Sequence, residues 1–318
     1  MISHPIPFLD PGPEFSDPVH AAVILLPVPY EGGVSWGRGA ALGPDAVLEA
    51  SAELEIYDES LRFEPCRMGI ATIAPPDDLS RSEAMISSVR RNMRSILETG
   101  KFPVALGGDH SVSVGVFQEL YAKYGRLSVV QIDAHADLRE NYRGDPFSHA
   151  CTMARIRENT GDTLQIGIRS LCREEADRIT REDIPVCFME EFRSGAFDLE
   201  GAVRRLPDPV FITVDVDALD WSVVRSTGTP EPGGFLWHEV IDLLAMLFRE
   251  REVAGFDVME LSQDPPDRNS AFAVAKLVYK MLGYKLASTV AAGRTLWPER
   301  PAGPILTQTG PWGTKGHS

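Results

Sequence analysis

Leu127-Ser128-Val129-Val130-Gln131-Ile132-Asp133-Ala134-His135-Ala136-Asp137 decides the fold. Its first half is a short apolar run rich in β-branched residues, the composition of a strand buried on both faces of a parallel sheet. Its second half turns abruptly to carboxylates and an imidazole. In open α/β sheets, sites gather beyond the carboxyl ends of the strands, so the stretch reads as a strand that ends in a site. Side chains alternate along an extended chain, which lets Asp133, His135 and Asp137 face one way.

The same device recurs on either side. Val210-Phe211-Ile212-Thr213-Val214 runs into Asp215-Val216-Asp217, and Val104-Ala105-Leu106 precedes Gly107-Gly108-Asp109-His110-Ser111. Two divalent ions bring four positive charges, and Asp133, Asp137, Asp215 and Asp217 return four negative ones. His110 and His135 add neutral nitrogen ligands. A donor set of carboxylates and imidazoles without thiolate suits manganese better than a structural zinc, so the reading is a centre of two Mn2+ per subunit. Asp109 stays outside the ligand set, as a residue of the turn or an orienter of a ligand.

Outward from these clusters the chain alternates strand and helix. Val19 to Leu26 reads as the first core strand. Pro44 and the residues after it open a helix, and Leu79 to Thr99 is a second, with Ser80 and Glu83 offering a capping box. Ser113 to Tyr124 is the helix that crosses over to the Asp133 strand. Helices at Cys151–Asn159, Glu174–Arg181, Leu236–Arg249 and Ala271–Leu282 alternate with strands at Leu164–Ile168, Val186–Met189 and Val253–Met259. The fold class expected is therefore α/β, a three-layer, doubly wound and mostly parallel sheet. The 318 residues carry no convincing internal linker and read as one domain. An extended N-terminal arm (about 1–17), which lies over the surface or a neighbouring subunit, and a flexible tail (about 298–318) flank it.

A formal charge of −15 argues against nucleic acid as partner, since phosphates call for a basic patch. The apolar run before Val28 is too short to span a bilayer and contains Pro27, so no membrane partner is expected. Cys66, Cys151, Cys172 and Cys187 show no metal or disulfide spacing, which points to reduced thiols in a cytoplasm.

The segments GGDHS at 107–111, DAHAD at 133–137, TVDVDALD at 213–220 and GTPEPGG at 228–234 together resemble the ureohydrolases, the family of arginase and agmatinase. The resemblance runs from about Pro29 to Gly293 and implies the arginase-like form of the fold. It implies one manganese on His110, Asp133, Asp137 and Asp215 and another on Asp133, His135, Asp215 and Asp217, with Asp133 and Asp215 bridging. It further implies that His149 shuttles a proton, that Glu260 receives the substrate's guanidinium, and that the chain assembles as a homotrimer or homohexamer. Asp137 is expected to pass the first proton. The expected reaction cleaves a small cationic guanidino substrate to urea and a primary amine.

The GTPEPGG block and the Ser148-His149-Ala150 triplet resemble agmatinase-type members more than arginase, so agmatine, converted to putrescine in polyamine biosynthesis, is the first expectation. Aminopropylagmatine and guanidinobutyrate are the alternatives, the last because Arg139 could bind a carboxylate; the other reading of Arg139 is an ion pair. Gly33 stands where a threonine is expected and bears on the pocket mouth. A two-metal phosphoesterase is the alternative from another class, although no later GHxH element accompanies the clusters.

Overall fold

The computed structural model describes residues 1, 3–33, 35–263 and 267–294; the expected tail lies outside them. Eight strands form one sheet: β1 (Val23–Val28), β2 (Ile70–Thr72), β3 (Phe102–Gly107), β4 (Ser128–Ile132), β5 (Thr163–Ile168), β6 (Val186–Phe188), β7 (Val210–Asp215) and β8 (Val253–Met259). Their spatial order is β2-β1-β3-β8-β7-β4-β5-β6 and every pairing is parallel. The middle four, β3, β8, β7 and β4, are the strands that end in the site motifs, and every residue in them is buried. Covered faces explain why they read as continuous apolar runs.

Ten α-helices occur among the described residues: α1 (Pro13–Ser16), α2 (Gly43–Ser51), α3 (Ser82–Glu98), α4 (Val112–Tyr124), α5 (Thr152–Arg157), α6 (Arg173–Glu182), α7 (Met189–Ser194), α8 (Leu199–Arg205), α9 (Trp237–Glu250) and α10 (Asn269–Ala291). The residues of α2, α8, α9 and α10 join one face of the sheet in a core that includes Val104, Ile212, Phe256 and Tyr279. The residues of α3, α4 and α5 join the other face around Ala105, Phe117, Val129 and Phe211. No helix of the described residues is long and apolar enough to cross a membrane.

Three local details refine the expectations. The N-terminal arm is anchored at Phe8 and Leu9, which are buried, their amides donating to Thr72 Oγ1 (2.9 Å) and Ser51 Oγ (2.8 Å), while its other described residues are exposed or half-buried. Two buried apolar side chains outweigh the extended, proline-rich backbone around them. The capping box at Ser80 does not form, because Ser80 turns back to Asp78 and α3 starts at Ser82. Finally, Pro27 sits inside β1. The odd-numbered residues of β1 turn their backbone groups toward β2, which ends level with Leu25, so no partner strand misses the N–H that proline lacks.

Candidate metal centre

The sequence builds the site by ending four neighbouring strands in polar residues. β3 continues through Gly108 and Asp109 to His110 just before α4, and Gly108 cannot be replaced without collision, since a Cβ there would lie 1.7 Å from the Tyr30 carbonyl oxygen. Asp109 is not turned to the cluster. Its carboxylate accepts the amides of Gly32 (3.0 Å) and Gly33 (2.9 Å) and the Ser111 hydroxyl, which pins the glycine-rich loop over the site.

His110 Nδ1 lies 3.1 Å from Asp133 Oδ2, 3.2 Å from Asp137 Oδ2 and 3.1 Å from Asp215 Oδ2. His135 Nδ1 lies 2.9 Å from Asp217 Oδ2 and 3.8 Å from Asp133 Oδ1. His110, Asp133 and Asp137 form one group able to converge on an ion, and Asp133, His135 and Asp217 form another. Asp133 belongs to both, with one oxygen toward each imidazole. Asp215 offers Oδ2 to the His110 group, while its Oδ1 accepts the Asp217 amide at 2.9 Å. All six expected ligands are thus brought together.

The electrostatics mark a place made for cations. Burial pushes the Asp133 carboxyl up to about 8, with Asp137 and Asp217 adding repulsion, and raises Asp215 well above the usual range for the same reasons. Burial works against the charged form of His110, but Asp133, Asp137 and Asp215 outweigh it and raise the imidazole well above its ordinary value. For His135 the same contest, won mainly by Asp217, raises the ring to about 11. Burial also opposes charge on Asp217, yet His135 and the Ala134 amide bring it down to about 2. His110 Nδ1 has no hydrogen-bond partner although fully buried. An orphan nitrogen facing three carboxylates fits a divalent ion.

Glu260 follows β8 with φ 68°, a conformation that costs a non-glycine residue energy and recurs at functional sites. Asp137 shares it, at φ 53°. Glu260 Oε1 accepts the His110 amide at 2.9 Å, and burial, together with Asp215 and Asp109, holds its carboxyl well above the usual range. His149 starts a short 3-10 turn and meets Tyr142 edge-on at 5.6 Å. Burial lowers it below the ordinary histidine value despite Asp137 and Asp109. His149 and Glu260 line one cleft of about 290 Å³ with His110, His135, Asp137 and Asp215. A larger hollow of about 510 Å³, beside α2 and the start of α10, contains no histidine and lies away from this chemistry.

Sequence reading missed several supports. Gln131 Nε2 donates to Asp133 Oδ2 at 2.6 Å, Thr229 Oγ1 to Asp217 Oδ2 at 3.2 Å, and Arg169 spans the carbonyls of Asp217 (2.7 Å) and Glu231 (2.8 Å). Gln131 was findable, since it alternates in phase with Asp133; Arg169 carries no local signal. Arg139 lines the same cleft, its Nε 3.9 Å from the buried Glu175 carboxylate and its guanidinium over the Tyr142 ring.

The Arginase family model matches residues 21–283. The chain belongs to the arginase family. This family chain is 40% identical over 272 residues to an N(1)-aminopropylagmatine ureohydrolase from Synechocystis sp., covering 83% of itself and 89% of that relative. It is 35% identical over 267 residues to an agmatinase from Pyrococcus horikoshii, covering 83% and 92%. Among solved structures it resembles the agmatine ureohydrolase of Thermoplasma volcanium, with a TM-score of 0.78, 28% identity and coverage of 86% and 92%. It is a ureohydrolase of that family, a hydrolase that acts on guanidino substrates, and it carries candidate ligands for the family's binuclear metal site.

Proposed function

We propose that the chain hydrolyses an amine-tailed guanidine, N(1)-aminopropylagmatine or agmatine, to urea and a primary amine with two Mn2+ at the Asp133 centre. The observation that carries this reading is the shared Asp133 between two ligand groups, beside a buried glutamate in the same cleft. The names of the relatives put N(1)-aminopropylagmatine ahead of agmatine, which the sequence alone ranks first. Arg139 lines the same cleft, beside Glu175 and over the Tyr142 ring, so guanidinobutyrate stays in the test as the carboxylate-tailed alternative.

Bound divalent ions supply Lewis acidity that makes water nucleophilic near neutral pH. The chain's own residues do the rest. Glu260, disfavoured as an anion in the free site, gains a cationic partner when the guanidinium arrives and holds its planar face toward the centre. Asp137 takes a proton from the attacking water. His149, kept neutral by burial, passes a proton from solvent to the departing amine. Net, one water and one guanidinium give urea and an alkylammonium. A phosphoesterase gains no support, since the matching family model and the named relatives are those of ureohydrolases. A cytoplasmic homotrimer or homohexamer remains part of the proposal.

Urea release by manganese-loaded protein from N(1)-aminopropylagmatine, agmatine, guanidinobutyrate and arginine is the test. The two amine-tailed compounds are expected to lead. A preference for guanidinobutyrate overturns the tail assignment, and no urea from any of them overturns the reaction.

A further inference from the structure

One polar row crosses the sheet beneath the metal centre. Gln165, Gln131, Thr213 and Asp257 are in register across β5, β4, β7 and β8, and each is fully buried. The row lies two residues before Asp133 and Asp215, and by strand alternation it faces the same way as those ligands. Gln131 hydrogen-bonds to Asp133, and Gln165 to Gln131. Thr213 Oγ1 lies 2.9 Å from His110 Nε2, the ring nitrogen opposite the one that faces the carboxylates, and 3.1 Å from Ser113 Oγ of α4.

Asp257 ends the row and has no assigned work. Both of its oxygens are buried without a hydrogen-bond partner, a costly state for a carboxyl group. Its neighbour in register is Thr213. Burial pushes the carboxyl up to about 7, while the hydroxyls of Thr213 and Ser113 pull it back toward the charged form. Those hydroxyls face Asp257 without closing full hydrogen bonds.

We propose that Asp257 is a positioning residue for His110, acting through the Thr213 hydroxyl. His110 Nε2–H donates to the Thr213 hydroxyl, Asp257, the neighbour of Thr213 in register, biases that hydroxyl to accept, and the imidazole is thereby held in the tautomer and orientation that leave Nδ1 bare for the metal. Metal-ligating histidines commonly need such a partner on the far nitrogen, and losing it costs about 10–100-fold in metal affinity. The inference rests on the proposed metal centre.

The test is Mn2+ affinity and stoichiometry, by calorimetry and by the spin-coupled signal of a manganese pair, in the full chain and in Thr213→Val, Thr213→Ser, Asp257→Asn and the double variant Thr213→Val/Asp257→Asn. Thr213→Val and Asp257→Asn are each expected to weaken one site about 10–100-fold, Thr213→Ser to retain it, and the double variant to be no worse than Thr213→Val alone. Unchanged affinity in Asp257→Asn, or losses that simply add, overturns the relay. If Asp257→Asn does not fold, the contrast between Thr213→Val and the double variant Thr213→Val/Asp257→Leu, whose apolar side chain removes the buried carboxyl, decides in its place: equal affinities support the relay and additive losses overturn it. A native chain that binds no metal overturns the centre itself and this inference with it.

Discussion

In the proposed reaction, recognition turns on Glu260. Glu260→Gln keeps the shape but removes the charge that meets the guanidinium. Breaking one partner of a buried, hydrogen-bonded charge pair costs about 2–5 kcal/mol, so kcat/KM is expected to fall by roughly 30- to several-thousand-fold while elemental analysis still finds both metals. Full turnover in that variant removes Glu260 from substrate binding. Gly33 makes a sharper case, because its lack of a side chain is used: a Cβ there would lie 3.0 Å from His149 Nδ1 and 3.2 Å from Ser148 Oγ. Gly33→Thr is expected to displace the imidazole and lower kcat with little change in metal content, read from steady-state kinetics and metal analysis. A kcat equal to that of the native chain excludes this contact as a determinant of His149. Asp133 and Asp215 were legible because each closes a buried strand, whereas His110, His135, Asp137 and Asp217 lie on turns beyond the strands and were legible through the acid and histidine motifs, not through strand alternation. Asp257 and Arg169 were not, since their partners come from other strands and no spacing along the chain reveals them.

Among the elements, α10 shows how far a sequence pattern reaches. Its apolar residues predict a helix over 271–282, yet it runs Asn269–Ala291. Nothing after Leu282 breaks it, and Gly283 is tolerated where a Cβ would meet Leu61 at 2.5 Å. The short elements β2, α7 and α8 left too few residues for any period to register. α10 is fastened by Lys280, whose Nζ lies 3.0 Å from the Asp58 carboxylate and 2.7 Å from Ser60 Oγ, both charged groups being buried. Burial opposes the Asp58 charge, but the Leu61 amide and Lys280 depress its carboxyl below the usual value. The stability from Asp58 is therefore present above the ordinary carboxylate range and lost as pH falls through it. Lys280→Ala strands a buried carboxylate and is expected to cost about 3–5 kcal/mol in chemical unfolding at neutral pH. The pair Asp58→Leu with Lys280→Met is expected to cost much less. Equal losses from the two would mean that packing, not charge, holds α10.

For the molecule as a whole, pH and metal are linked through Asp133. Its carboxyl is raised in the folded chain from an ordinary value of 3.8 to about 8, so the folded state holds a proton that the unfolded chain releases. Without metal, that contribution to stability is full below about pH 4 and is lost as pH rises to about 8. Metal binding needs that proton gone, and those on His110 and His135 as well, so affinity is expected to rise through this window and above it, with proton release. At a hundred times Kd each ion adds about 2.7 kcal/mol. The gain in melting temperature on adding Mn2+ to chelator-treated protein is expected to be larger at pH 8 than at pH 5.5; equal gains at both would sever the link. The sheet's margins bear on a different hazard. Its outer strands, β2 and β6, are three residues each, Ser3 bridges Ile73 beside one of them, and α7 begins at Met189 directly after the other. Little unpaired backbone is left for a foreign chain to extend. An eight-stranded sheet bounded this way resists strand-by-strand aggregation at its flanks, even though its interior consists of the kind of segment that would otherwise seed it.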